Sequence, residues 1–239
     1  MRMPDTVTRP SKWPKVVPPL TSEQQAALEA WYVLWLERFN KSTLLEGFNY
    51  GFPAKLPVPD HCRTLQIGPG QHPFLERDML ASPDYHVLEL REEFCRKLAE
   101  RLPPERVHHG DIEQRQPFAD GSFDRVIAIH VLEHLRNLPA ALDEISRLLA
   151  PDGAFDVVLP CEGGLAYSLA RRISSKRMFE KTFKMPYEPI IRSEHVSELW
   201  EINEELAARF RFEKTRHFPI PVPLDTVNIF VGYRLRKKA

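Results

Sequence analysis

The sequence predicts an α/β fold, a doubly wound and mostly parallel sheet, on three observations. From Cys62 onward, short β-rich apolar runs alternate with amphipathic helical stretches, an order that lays parallel strands between helices on both faces. The first run, Thr64–Ile67, ends in Gly68-Pro69-Gly70 and is followed by Pro73, which suits a first helical position. This is a strand–turn–helix unit spanning residues 64–80. The last two runs, Phe212–His217 and Val227–Leu235, are joined by Pro219, Pro221 and Pro223. Such a connection makes a stiff antiparallel hairpin rather than another helical crossover.

The chain of 239 residues suits one α/β domain with an appendage. Residues 1–60 are expected to be an arm and a helical cover, and 61–239 the main domain, with 161–196 as an insertion. Five prolines mark residues 1–20 as an arm. A helix begins near Thr21-Ser22, where Gln24 and Gln25 are placed to complete a capping box. Leu28, Trp31, Trp35 and Phe39 recur at helical spacing and form a wide aromatic face. That face is expected to pack on the main domain. With Phe48-Asn49-Tyr50-Gly51-Phe52 it also makes a candidate roof for a substrate pocket.

Further strands are read at Tyr85–Leu90, Arg106–His108, Asp124–Ile129 and Ala154–Leu159. Helices are read at Glu92–Arg101, ended by Pro103-Pro104, then from about Pro139 to Leu149, and near Ser197–Phe210. Pro151-Asp152-Gly153 is the expected turn into the fifth strand.

Thirty-three basic and 33 acidic residues cancel, so no net field draws in nucleic acid or a membrane. Cys62, Cys95 and Cys161 form no paired motif, which suits reduced thiols and a cytoplasmic setting. Residues 1–19 lack the apolar core of a signal peptide, and Ala30–Leu36 is too short to span a bilayer.

The chemistry gathers at predicted strand ends. Pro73 stands where the dinucleotide fingerprint needs its third glycine, which tells against a nicotinamide-dependent oxidoreductase. Glu89 ends the second strand, where a carboxylate can accept both hydroxyls of a ribose. Asp111, after the third strand, can accept from the amine of an adenine, with Ile112 packing on the ring.

Six motifs occur in order: Leu-Gln-Ile-Gly-Pro-Gly from Leu65, Val-Leu-Glu-Leu ending at Leu90, Gly-Asp-Ile-Glu from Gly110, Phe-Ala-Asp-Gly-Ser-Phe-Asp from Phe118, His-Val-Leu-Glu-His-Leu from His130, and Leu-Leu-Ala-Pro-Asp-Gly-Ala-Phe from Leu148. Together the run Leu65–Pro160 resembles the class I S-adenosylmethionine-dependent methyltransferases, in particular their broad type 11 group. The resemblance implies a Rossmann-like seven-stranded sheet with an antiparallel last strand, and S-adenosylmethionine as cofactor. It implies a cofactor site made of Gln66, Gly68, Pro69, Gly70, Glu89, Leu90, Asp111, Ile112 and His130. The acceptor would be a small molecule, a lipid or a saccharide.

His130 is the first candidate for a general base and His134 the second. Gln66 replaces the family's usual acid and His72 its usual glycine. Those departures motivate an alternative, a non-catalytic binding or scaffold protein on the same fold. His130-Val131-Leu132-Glu133-His134 also spells the zinc signature of inverted metalloproteases. That signature needs all three residues on one helix, whereas His130 directly follows a strand, so no metal is expected. His108 and His109 should point to opposite sheet faces and are read as packing residues.

In such enzymes the insertion after the fifth strand shapes the acceptor pocket, which brings in Glu162, Tyr187, Arg192 and His195. Leu165–Ile173 is amphipathic at helical spacing. Between Arg171 and Lys184 stand six basic residues and one acid, Glu180. The simple account is a solvated face on a core-packed helix; the sharper one is a phosphate-bearing acceptor or contact with an anionic membrane. Phe183–Pro189 is read as a lid-like loop, and Ser193 as the cap of the next helix.

Overall fold

A computed structural model describes residues 12–39, 43–71 and 84–238. Residues 1–11 of the expected arm, His72 and the helix expected over 73–80 lie outside the described residues, as do the side chains of Trp35 and Phe39. Seven strands form one sheet: β1 (Thr64–Ile67), β2 (Tyr85–Glu89), β3 (Val107–His109), β4 (Phe123–Ile129), β5 (Leu149–Pro160), β6 (Phe210–Phe218) and β7 (Phe230–Lys237). Their order is β3-β2-β1-β4-β5-β7-β6. The first five pair in parallel, and β7 runs antiparallel to both β5 and β6. Chain progression reverses between β1 and β4, the switch point where strand ends open a crevice.

Alternation along the strands divides the core. Val126 and Ala128 of β4 and Phe155, Val157 and Leu159 of β5 face one side. They meet helix α5 (Leu138–Leu148) through Leu138, Ala141, Leu142 and Ile145, and helix α9 (Leu199–Arg209) through Ile202 and Leu206. Those helical positions recur every three or four residues, so each helix buries a single stripe. On the opposite face Tyr85, Val87 and Ile127 pack with Leu98 of α4 (Glu92–Ala99).

Helix α1 (Ser22–Phe39) starts where expected. The Thr21 amide donates to Gln24 Oε1 at 2.9 Å, and the Gln24 amide donates to Thr21 Oγ1 at 3.2 Å. Its aromatic face packs on the main domain as expected, but on the insertion rather than on the sheet. Leu28 and Trp31 pack on Phe179, Tyr187 and Ile190 of the insertion. The cover over the sheet comes from α2 (Thr43–Asn49) and α3 (Gly51–Ala54), whose Phe48 and Phe52 meet Val158 and Phe230. Gly232 makes this possible, since a Cβ there would stand 2.5 Å from the Phe52 ring.

The turn expected at Pro151-Asp152-Gly153 is absorbed into β5. Register against β4 jumps from Phe123↔Leu149 to Arg125↔Ala154, leaving the extra residues of β5 to bulge out. The insertion is more helical than its prolines suggested. α6 (Leu165–Arg171) runs through a π-helical stretch, Arg172–Lys176, into α7 (Arg177–Phe183). Lys184 ends it in the left-handed conformation. The expected lid is only a short connection, because Pro189 sits in the first turn of α8 (Glu188–Glu194), where its missing N–H costs nothing. Ser193 is therefore not a cap; it lies inside α8, with its hydroxyl on Ile190 O. The next helix, α9, is capped by Glu198 in a box with Glu201. Among the described residues no helix is long and apolar enough to cross a membrane.

On the covered face Asp156 of β5 is fully buried between two guanidinium groups. Arg125 Nε donates to it at 2.7 Å, and Arg234 donates through Nε at 2.7 Å and Nη2 at 2.8 Å. The spare donors reach Pro53 O and Pro57 O, tying the cover to β4 and β7. Removing the carboxylate strands two buried cations. Asp156→Ala should thus cost about 3–5 kcal/mol in a urea unfolding series. A loss below about 1 kcal/mol would mean that the network contributes little.

Candidate functional site

The crevice at the switch point begins with β1. Gly68 takes φ +59° and its amide donates to Leu88 O at 2.9 Å, so the chain turns sharply over the end of β2. A side chain on Gly68 would meet Val131 Cγ2 at 2.8 Å. Gly70, at φ +64°, has nothing within 4 Å of where a Cβ would stand, so the turn is open on its outer side. Pro69 between them is half-buried.

The glycine turn closes on Glu89. The Gly70 amide donates to Glu89 Oε2 at 2.9 Å and the Arg91 amide to Oε1 at 3.0 Å. Burial pushes this carboxyl above its ordinary range, and those backbone donors oppose the shift. Each oxygen keeps a second lone pair for a ligand hydroxyl. The Gly110 amide donates to Glu89 O at 3.0 Å, which brings Asp111 alongside. Asp111 Oδ1 receives the Glu113 amide at 2.9 Å and is fixed in a tight turn.

Leu90 is exposed beside the crevice, whereas Ile112 belongs to the core with Ile67 and Leu88. Gln66 is buried in the sheet and its amide oxygen accepts the Tyr85 hydroxyl, so it supports the turn from beneath. That role had no sequence signal, because Tyr85 reads only as a strand residue. Of the two adjacent histidines, His108 does pack, stacked on His86 and edge-on to Phe118, whereas His109 is exposed.

His130 follows β4 at φ +53°, its amide donating to Val158 O at 2.9 Å and its ring edge-on to Phe230 at 4.9 Å. Residues Leu132–His134 form a 3-10 turn, so the one-helix geometry of the inverted metalloproteases is not made. That turn buries Glu133 behind His130, with Oε1 3.4 Å from Nδ1. Burial alone would raise the Glu133 carboxyl; the His130 bond and the fields of His134 and His195 outweigh it and hold it down, at about 2. Sequence reading weighed Glu133 only as part of the His-Val-Leu-Glu-His zinc signature and set it aside.

From the insertion, His195 packs edge-on against His134, ring centroids 4.9 Å apart. Its Nδ1 lies 2.9 Å from Glu162 Oε2, and Glu162 also pairs with Arg171. Burial opposes ionisation of Glu162, but His195 and Arg171 hold its carboxyl below the usual range. Glu162, Tyr187, Arg192 and His195, the four expected acceptor-side residues, line one cavity of about 810 Å³. Glu133, His134 and His195 could hold a metal ion, since one ligand atom from each lies within 4.8 Å of the others.

The sheet order, with a Gly68–Glu89–Asp111 crevice beside His130, is that of the class I S-adenosylmethionine-dependent methyltransferase fold. Residues 65–157 match the family model described as a methyltransferase domain. The match takes in the first five strands of the sheet and the glycine turn, so that part of the chain is similar to a methyltransferase domain. No protein of curated function matches it.

Solved structures of the same fold include an S-adenosylmethionine-dependent methyltransferase of Thermotoga maritima described as a possible histamine N-methyltransferase. It is 19% identical, with 87% of this chain and 99% of that one covered and a TM-score of 0.57. An Aquifex aeolicus S-adenosylmethionine-dependent methyltransferase is 15% identical over 84% of this chain and 95% of its own, TM-score 0.57. A TehB-like enzyme of Corynebacterium glutamicum is 17% identical over 90% and 100%, TM-score 0.55. At these identities the likeness is one of fold.

Replacing Gly68 by alanine forces a Cβ onto Val131 in a left-handed conformation. Gly68→Ala should lower stability by about 1–3 kcal/mol in denaturant melts. Gly70→Ala, with open space around it, should show only the smaller backbone cost.

Proposed function

We propose that the enzyme transfers a methyl group from S-adenosylmethionine to a hydroxyl of a small-molecule, lipid or saccharide acceptor that carries an anionic group. The observation that carries this reading is that His195, which lines the charged cavity of the insertion, packs on His134, four residues past His130 at the end of β4. The residues fit the cofactor. The open side of the Gly68-Pro69-Gly70 turn takes its methionine part, Glu89 its ribose, and Asp111 with Leu90 its adenine. Ile112 and Gln66 hold that frame from the core. When bound, the cofactor supplies a methyl group whose bond to sulfur breaks as the acceptor oxygen bonds to it, the electron pair staying on sulfur.

The chain's own part is to orient and deprotonate the acceptor. His130 takes the hydroxyl proton, and Glu133 behind it holds the imidazole and steadies its charge. His134 and His195 close that wall of the site. Arg172 and Arg192 line the cavity with no ion-pair partner among the described residues, which suits an anionic acceptor; Arg171 and Lys176 are already paired. Tyr187 and Glu162 shape its floor. On this reading residues 161–196 are the acceptor side of a domain spanning 61–239, and residues 1–60 are its cover. Three free thiols suit a cytoplasmic setting.

Calorimetric titration with S-adenosylhomocysteine separates this reading from a non-catalytic scaffold. Binding should be seen in the wild type and should weaken at least about tenfold in Glu89→Gln, a loss of one charge-assisted pair. His130→Gln should keep the binding and lose about 10²–10⁴-fold in turnover. No heat with the wild type would favour the scaffold.

A second reading concerns where the acceptor resides. Leu165, Leu169 and Ile173 repeat every four residues along α6 and beyond, yet are 77%, 60% and 67% exposed. Such a stripe beside Arg172 and Arg177 suits shallow docking on an anionic lipid surface. Anionic vesicles should co-sediment the wild type but not Leu169→Glu. Equal recovery with neutral vesicles would remove the membrane from the account.

A further inference from the structure

His130 serves only one of the two oxygens of Glu133. The Glu133 side chain is 1% exposed, and its Oε2 has no hydrogen-bond partner among the described residues. Its Oε1 has only the His130 contact, at 3.4 Å, beyond a good N–H···O distance. A buried carboxylate without a close cation is costly. Glu133, His134 and His195 nevertheless bring one ligand atom each to within 4.8 Å of one another.

The two histidines are prepared in the same way. His134 Nδ1 stands 2.8 Å from Glu194 O, which only accepts, so Nδ1 carries the proton and Nε2 keeps its lone pair. His195 Nδ1 stands 2.9 Å from Glu162 Oε2 and is fixed in the same tautomer. A metal-binding histidine characteristically has its other nitrogen donating to a carboxylate or carbonyl, which sets the tautomer and the ring direction. Glu162 is held in turn by Arg171.

We infer that Glu133, His134 and His195 bind a divalent transition-metal ion. Two imidazoles and one carboxylate suit zinc or manganese rather than calcium, and three protein ligands leave coordination positions open. The ion neutralises the stranded oxygen of Glu133. Its open positions take the acceptor's oxygen, on the side where His195 also lines the cavity. His195 comes from the insertion, so binding metal also fastens the acceptor side to the β4 end. The ion's part in methyl transfer rests on the function proposed above; the site itself does not.

The test is calorimetric titration of chelator-stripped protein with Zn2+, and separately with Mn2+, followed by S-adenosylhomocysteine. One ion should bind per chain. Glu133→Gln and His195→Ala should each abolish that binding while keeping S-adenosylhomocysteine affinity within about twofold, which also reports a folded crevice. Glu162→Gln, which frees the His195 ring, should weaken metal affinity about 10–100-fold. His195 stands outside the sheet core, so its alanine variant decides the matter if Glu133→Gln unfolds. Absence of Zn2+ and Mn2+ binding in the wild type overturns the site, as does stoichiometric binding that survives His195→Ala. If metal fails to bind while S-adenosylhomocysteine binds, only the metal site falls. If the converse holds, the metal site stands and the reading of the crevice falls.

Discussion

The arrangement depends on the register of three strands, and Asp156 fixes it. One carboxylate takes three charged hydrogen bonds from Arg125 and Arg234, locking β4, β5 and β7 side by side. From that register follow the bond of the His130 amide to Val158 O and the seat of the His130 ring on Phe230. A slip of one residue would turn every side chain of β4 to the other face. His130 would leave the crevice, and Arg125 would enter the apolar layer of α5 and α9. A buried polar group with all its partners thus selects one alignment among several that apolar strands alone would tolerate.

The strand-end crevice then needs little more than turn chemistry. Gly68 and Gly70 supply the positive φ values, and Glu89 collects the amides they expose. The insertion adds what the sheet lacks, a charged cavity and His195. These two parts meet at the pair of rings formed by His134 and His195.

Much of this was legible from residue order. Strand runs, the Gly68 turn and the proline-joined hairpin are all local signals, and the structure has them within two or three residues, apart from a longer β5. The insertion was less legible because its signals compete. Pro189 reads as a helix breaker, but a proline is tolerated in the first turn. Ser193 reads as a cap, but its hydroxyl serves the carbonyl of Ile190. Trp31 shows that α1 has an apolar face without showing what covers it. The covering surface, formed by Phe179, Tyr187 and Ile190, lies far along the chain. Glu133 was the deepest omission. A single glutamate in an apolar run carries no mark of its burial, and its meeting with His195 depends wholly on how the insertion folds back.

The apolar cluster joining α1 to α7 and α8 is separate from the clusters that line the sheet. Two cores in one chain can lose order one at a time. On the function proposed, loosening of this second nucleus would widen the acceptor side for a large molecule and leave the Gly68–Glu89 crevice in place. Selectivity toward bulky acceptors would then reflect how readily this second nucleus loosens, and substitutions around Trp31 would retune it from a distance.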